Sequence, residues 1–228
     1  MAGIVRLAVA GAVAFVLVKS CAGRPAGEAE RAAAPPLAPA AMARAVLSQA
    51  EVAGGFTPAE DREVFAGLEP PDAQCARLLR LADLREGGLR GGHGAREAHA
   101  AFYRQSPPAS LAEHVFRLPP GRASRFVAKA RAAMAGCPGI PNGGRVLERS
   151  RLERPPGARD AVGAAFGDGK GGTALSVVFV RSRNDLLILA ASGAGTAGAP
   201  MERLAAGAVG KLEAFQLDRA RKAVKAAP

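Results

Sequence analysis

The chain has 228 residues, with no tryptophan, a single tyrosine, three cysteines and a formal charge of +11 from 31 basic and 20 acidic side chains. Beyond an atypical first forty or so residues the length suits one hydrophobic core and is cramped for two. The basic excess is not a nucleic-acid signature: six of the cations are lysine, the rest are scattered arginines, and neither a recognition motif nor a series of stacking aromatics accompanies them.

Residues 7–18 (LAVAGAVAFVLV) are an apolar run preceded by Arg6, closer in length to a secretory h-region than to the roughly 20 residues of a membrane span. Residues 1–21 are therefore expected to be a signal peptide or signal anchor that places the rest outside the cytoplasm, either membrane-anchored or secreted. Three fates are open. Cys21 is a lipidation candidate, although its V-K-S-C box carries Lys19 where a small or apolar residue is usual. Cleavage after Ala22 would use Ser20 and Ala22 as the small-residue pair, and an uncleaved anchor would let Lys19 snorkel to the interface. Residues 22–41, rich in Pro and Ala, read as a linker.

The folded domain is expected over residues 42–217. Residues 42–52 suit a short helix ended near Gly54 and Gly55, with Phe56 turned onto the core, and residues 72–84 suit a second helix. The glycine-rich run REGGLRGGHG is a loop. Residues 98–105 and 111–118 read as a hairpin turning at Pro107 and Pro108, followed by a helix over 122–135 that Gly136 and Pro138 stop. Segments 145–153, 160–167, 173–182 and 185–192 are strands spaced by turn signals, with Arg183-Asn184 as a tight turn, so the second half is a meander. A final helix beginning near Pro200 aligns Met201, Leu204, Ala208, Leu212 and Phe215 on one face and leaves residues 218–228 as an exposed basic tail.

Besides Cys21, the cysteines are Cys75 and Cys137, each in or just after a predicted helix. Two remaining cysteines in an oxidising compartment predict one disulfide, Cys75 to Cys137, and two buried thiols are the alternative.

Four segments, AVLSQAEVAGGF (45–56), the helix of Cys75, FVAKARAAMAGCP (126–138) and SVVFVRSRNDLLILAASG (176–193), together resemble the actinobacterial exported sensor-like domains related to the mycobacterial PknH ectodomain. The resemblance covers about residues 42–217. It implies an antiparallel sheet flanked by helices, with a cleft taken to bind a ligand, and it supplies no catalytic residue. The chain departs from that family in its V-K-S-C box and in having one cysteine pair for a disulfide where the kinase ectodomain has two.

Other motifs fail on context. Gly193 to Gly198 spell G-x-G-x-x-G between a strand and a helix, yet no strand follows that helix, so no dinucleotide-binding βαβ unit closes. GDGKGG (167–172) leads into a strand and reads as a hairpin loop. His93 lies in the glycine-rich loop, while His99 and His114 fall on facing strands near Glu97 and Glu113; lacking any metal-ligand spacing, they read as surface or packed histidines. Neither G-x-S-x-G nor S-x-x-K occurs, and Asp160, Asp168 and Asp185 sit at strand ends or turns, where Asp bonds its own backbone.

The sequence thus predicts an α+β domain, an antiparallel meander-like sheet with flanking N-terminal and C-terminal helices and one disulfide. It is expected to be an envelope-associated, non-enzymatic ligand-binding or sensor-like domain without cofactor, metal or nucleic acid. Its expected partners are a small molecule or lipid, an anionic envelope polymer, and the membrane through its N-terminus; the alternative is an interaction protein that holds anionic polymers or a partner on its basic surface.

Overall fold

Eight strands form one antiparallel sheet, and both of its faces are covered. The computed structural model describes residues 42–52, 54–60, 63–89, 96–169 and 173–226, so the expected signal segment, Cys21, the linker and His93 lie outside the described residues. The strands are β1 (Thr57–Pro58), β2 (Arg96–Arg104), β3 (Ala109–Arg117), β4 (Gly139–Asn142), β5 (Arg145–Arg151), β6 (Asp160–Gly167), β7 (Thr173–Ser182) and β8 (Asp185–Ala194). Their spatial order is β1-β2-β3-β8-β7-β6-β5-β4. Two meanders, β1 to β3 and β4 to β8, therefore join where β8 pairs with β3, from Ala109 opposite Gly193 to Arg117 opposite Asp185.

The central strands explain the helices. Leu175, Val177 and Phe179 of β7 and Leu186, Ile188 and Ala190 of β8 point into one core, while Val178, Val180, Leu187, Leu189 and Ala191 point into the other. A strand that is apolar on both sides cannot leave either side to water, so each face recruits a layer. On the first face lie α1 (Ala73–Ala82) and α2 (Arg122–Ala135), contributing Leu78, Leu79, Leu81, Phe126 and Val127. Phe126 meets Phe179 with ring centroids 6.1 Å apart. On the second face α3 (Ala199–Lys225) buries Met201, Ala205, Ala208, Val209 and Leu212 beside Met42, Val46, Phe56 and Leu111. Each large side chain so buried contributes roughly 1.5–3 kcal/mol.

Local chemistry sets the ends of α1. The Asp72 carboxylate accepts from the Gln74 and Cys75 N–H groups at 2.9 and 2.8 Å, satisfying donors that the first turn leaves open. At the other end buried Asp83 accepts from Val64 N at 2.9 Å and from Phe65 N at 3.1 and 3.2 Å, which fixes the loop before the helix. The disulfide joins Cys75, in the first turn of α1, to Cys137 just after α2, with an S–S distance of 2.06 Å.

Most of the predicted elements stand, including the helix over 122–135, the hairpin around Pro107 and the Arg183-Asn184 turn, in which Arg183 takes φ 56°. Three differ. Residues 42–52 are two 3-10 turns, Ala43–Ala45 and Gln49–Glu51, because Val46 and Ser48 are extended and Leu47 donates its N–H at 2.6 Å to Glu113 on β3 rather than to a helical carbonyl. The short edge strands β1 and β4 carry too few residues to show a period. The tail is not separate: α3 runs on through Lys225, since Arg, Lys and Ala are good helix formers and neither Gly nor Pro interrupts residues 211–225.

The disulfide closes a loop with a sequence separation of 62. On the chain-entropy account that is worth about 4 kcal/mol. The double variant Cys75→Ala/Cys137→Ala is expected to melt about 10 °C below the parent, and thermal denaturation followed by circular dichroism with and without reductant checks it.

Candidate functional site

The concavity with an apolar floor and polar rim lies where β5 parts from β6. The two strands pair from Glu148 opposite Gly167 to Arg151 opposite Ala164, and beyond that only Leu152 N reaches Gly163 O, at 3.4 Å. Residues Ala161, Val162 and Gly163 of β6 are thus left without a neighbouring strand on that side, and a cleft of about 330 Å³ opens between this stretch and the C-terminal end of α2. Its floor is Met134, Ala135, Leu152 and the small residues 161–164. Gly163 has little room for a side chain, which would begin 3.2 Å from Val178 and 3.4 Å from Leu152.

Four arginines stand around this floor: Arg131, Arg149, Arg151 and Arg154, with Glu153 the one carboxylate of the lining. Two are fixed by the protein. Arg131 donates to Asp160 at 2.8 Å, and Asp160 also accepts from Arg181 at 3.0 Å. Burial pushes the Asp160 carboxyl up, but these two guanidinium bonds outweigh it and leave the group below its ordinary value. Arg149 donates to the Met134 carbonyl and, at 3.4 Å, to that of Ala135, capping the end of α2. Arg151 and Arg154 are exposed at the rim. The loop that carries Arg154 is itself held, because Glu153 N donates to Glu202 of α3 at 2.9 Å. A second hollow, about 500 Å³ beside the β7–β8 turn, has a largely charged lining that includes Arg159, Arg181, Arg183 and Glu213.

Guanidinium groups around a floor of Ala, Val, Gly and Met match a ligand with an acidic head and an apolar body. Arginine offers paired donors to carboxylate or phosphate, and the floor offers burial. Among the described residues no histidine, cysteine or serine lines the cleft.

The residues singled out by sequence lie elsewhere. His99 and His114 do face each other across the hairpin, with ring centroids 6.2 Å apart, and His114 Nδ1 lies 3.2 Å from Glu97. Glu113 points to the opposite face of the sheet, toward Leu47, and among the described residues no group of three or more His, Cys, Asp or Glu is arranged to hold a metal. The G-x-G-x-x-G run has a packing explanation. Gly193 takes φ +106°, and a side chain on it would fall 2.2 Å from the Pro108 carbonyl and 2.6 Å from Ala109 Cα, so glycine is what lets β8 close against the start of β3. Asp185 is buried in a bidentate pair with Arg117 at 2.6 and 2.7 Å and accepts from Gln216 at 2.7 Å, a link between sheet and α3. The cleft arginines were not distinguishable by type, but Arg149 and Arg151, two apart on a strand, necessarily share a face. That alternation was the available signal.

No protein-family model matches the chain, and no curated protein sequence matches it. Among solved structures it is similar to the extracellular domain of PknH from Mycobacterium tuberculosis, with TM-score 0.53 and 13% identity over 81% of this chain and 99% of that one. A second similarity, to an Rv0999 ortholog from Mycobacterium smegmatis, has TM-score 0.39 and 14% identity over 79% of this chain and 99% of that one. The first shows a shared fold, the one the sequence resemblance implied.

The tight approach at Gly193 and the buried carboxylates each have a measurable consequence. Gly193→Ala should cost about 3 kcal/mol through a strained φ and a backbone clash, read from urea unfolding. Burial raises Glu113 from 4.5 to about 7, and Asp83 from 3.8 to about 6, against the hydrogen bonds that each accepts. The folded state therefore keeps protons that the unfolded chain has released, so this contribution is complete below about pH 4 and is lost as pH rises through about 6 to 7. Glu51, lowered to about 2 chiefly by Lys211, acts oppositely and loses its contribution as pH falls from 4.5. The melting temperature should peak near pH 4 to 5, and Glu113→Gln should flatten the decline toward pH 8, by on the order of 3 kcal/mol. An unchanged slope in the variant would show that Glu113 does not set it.

Proposed function

We propose that this chain is an extracytoplasmic, sensor-like binding domain that captures an anionic amphiphile, a small molecule or lipid with a carboxylate or phosphate head, in the cleft between α2, β5 and β6. The observation that carries the reading is the pairing of arginines with a floor of small apolar side chains in one cavity of about 330 Å³. Arg151 and Arg154 receive the head, Arg131 and Arg149 hold the wall in place, and the apolar body lies along residues 161–164. Binding is the whole of the activity in this reading.

The location is supported by the apolar run 7–18 followed by a Pro/Ala-rich stretch, by a disulfide of the kind kept in oxidising compartments, and by the fold shared with an extracellular domain. In this reading residues 1–21 tether or export the domain, with Cys21 as the lipid-bearing residue where the chain is processed as a lipoprotein.

Calorimetric titration of the full chain with dodecyl phosphate and with dodecylphosphocholine, both below their micelle concentrations, tests this. The phosphate monoester should bind and the zwitterion should bind at least tenfold more weakly. Arg151→Glu/Arg154→Glu should weaken the phosphate by about tenfold or more, as the loss of charge-assisted hydrogen bonds requires, without moving the melting temperature. Equal affinity for both amphiphiles, or no loss in the variant, would sink the assignment.

A further inference from the structure

Beyond half-buried Arg219 the end of α3 is not covered by any of the described residues. All residues from Ala220 to Ala226 are exposed, as are Leu217 and Asp218, and two of the exposed side chains are large and apolar, Leu217 at 53% and Val224 at 76%. Leu217 and Val224 are seven apart and so lie on one side of the helix, with Arg221 four residues from Leu217 beside them. Arg219, Arg221, Lys222 and Lys225 set four cations against one carboxylate, Asp218, which is ion-paired to Lys222 at 2.8 Å.

This overhang lies beside the point where the chain enters the domain. Glu51 is ion-paired with Lys211, and Arg44 lies near enough to Asp218 to join Lys222, the larger influence, in holding its carboxyl below the ordinary value. The ion pair of Glu51 with Lys211 and the packing of the Ala43–Ala45 turn on α3 lay the N-terminal segment of the domain along this helix.

We propose that residues 217–225 form a docking surface for an anionic lipid bilayer. Arg221 and Lys225, which flank the side of Leu217 and Val224, meet acidic headgroups while those two side chains enter the headgroup and acyl boundary. Charge complementarity selects this occupant. The inference rests on the tethered, extracytoplasmic reading given above, but not on what fills the cleft.

The test is hydrogen exchange on the full chain with phosphatidylglycerol vesicles and with phosphatidylcholine vesicles, combined with vesicle flotation. Whatever binding residues 7–18 contribute is common to both lipids, so amide protection at 217–225 isolates the helix end. The expected result is at least tenfold slower exchange at 217–225 on phosphatidylglycerol alone, reversed by 0.5 M salt (a Debye length of about 4 Å) and abolished in Arg221→Glu/Lys222→Glu, whose melting temperature should match the parent because both side chains are solvent-exposed. Flotation with phosphatidylcholine but no protection at 217–225 on phosphatidylglycerol would overturn the docking and leave the tether standing. Protection on phosphatidylglycerol without phosphatidylcholine flotation would keep the docking and remove the tether. Equal protection by soluble polyphosphate would overturn the bilayer as the partner.

Discussion

The pairing of β8 with both β3 and β7 is the constraint from which the architecture follows. It brings strands about seventy residues apart in sequence into one ladder and fuses two meanders into an eight-stranded sheet. Because both central strands are apolar on both sides, the sheet needs cover on each face. The chain supplies it from four segments: α1 and α2 on one face, α3 with the segment at 42–52 on the other. Gly193 is the small condition on which this closure rests, since the backbones of β8 and β3 approach there to a distance that no side chain fits.

The cleft is a by-product of the same arrangement. α2 must cross from the end of β3 to the far edge strand β4, and it ends over the place where β5 stops pairing. Arg149 then satisfies carbonyls at the end of α2, so the wall of the cavity is held by hydrogen bonds that also finish a helix. The Asp160 carboxylate between Arg131 and Arg181 ties the other side of the opening to the sheet. Stability and the shape of the cavity draw on one set of residues here.

Much of the fold was legible because its signals are local. Apolar runs such as SVVFV and LLILAA, the Arg183-Asn184 turn and the glycine and proline after residue 135 identify strands, hairpin and helix end without tertiary knowledge. The segment at 42–52 was misread because what decides its conformation is a partner 66 residues away: the Glu113 carboxylate takes the Leu47 N–H that a helix would have used. The cleft was illegible for a similar reason. Arginine is abundant throughout, and nothing in the run 149–154 states that a strand pair ends there, which is a property of the register between β5 and β6. The glycine motif misleads in the reverse direction, its spacing suggesting phosphate where its geometry serves strand packing.

The outermost strands have a further consequence. β1 is two residues long and β4 four, and each contains a proline, Pro58 and Pro141, which has no N–H to offer an incoming strand. A sheet with broad apolar centre strands is otherwise a template for adding copies of itself. The disulfide ends two residues before β4, so the cross-link that braces two helices also pins the guard at that border. Extension of the ladder is therefore opposed at both margins, and each copy keeps its sheet to itself even where the protein is concentrated.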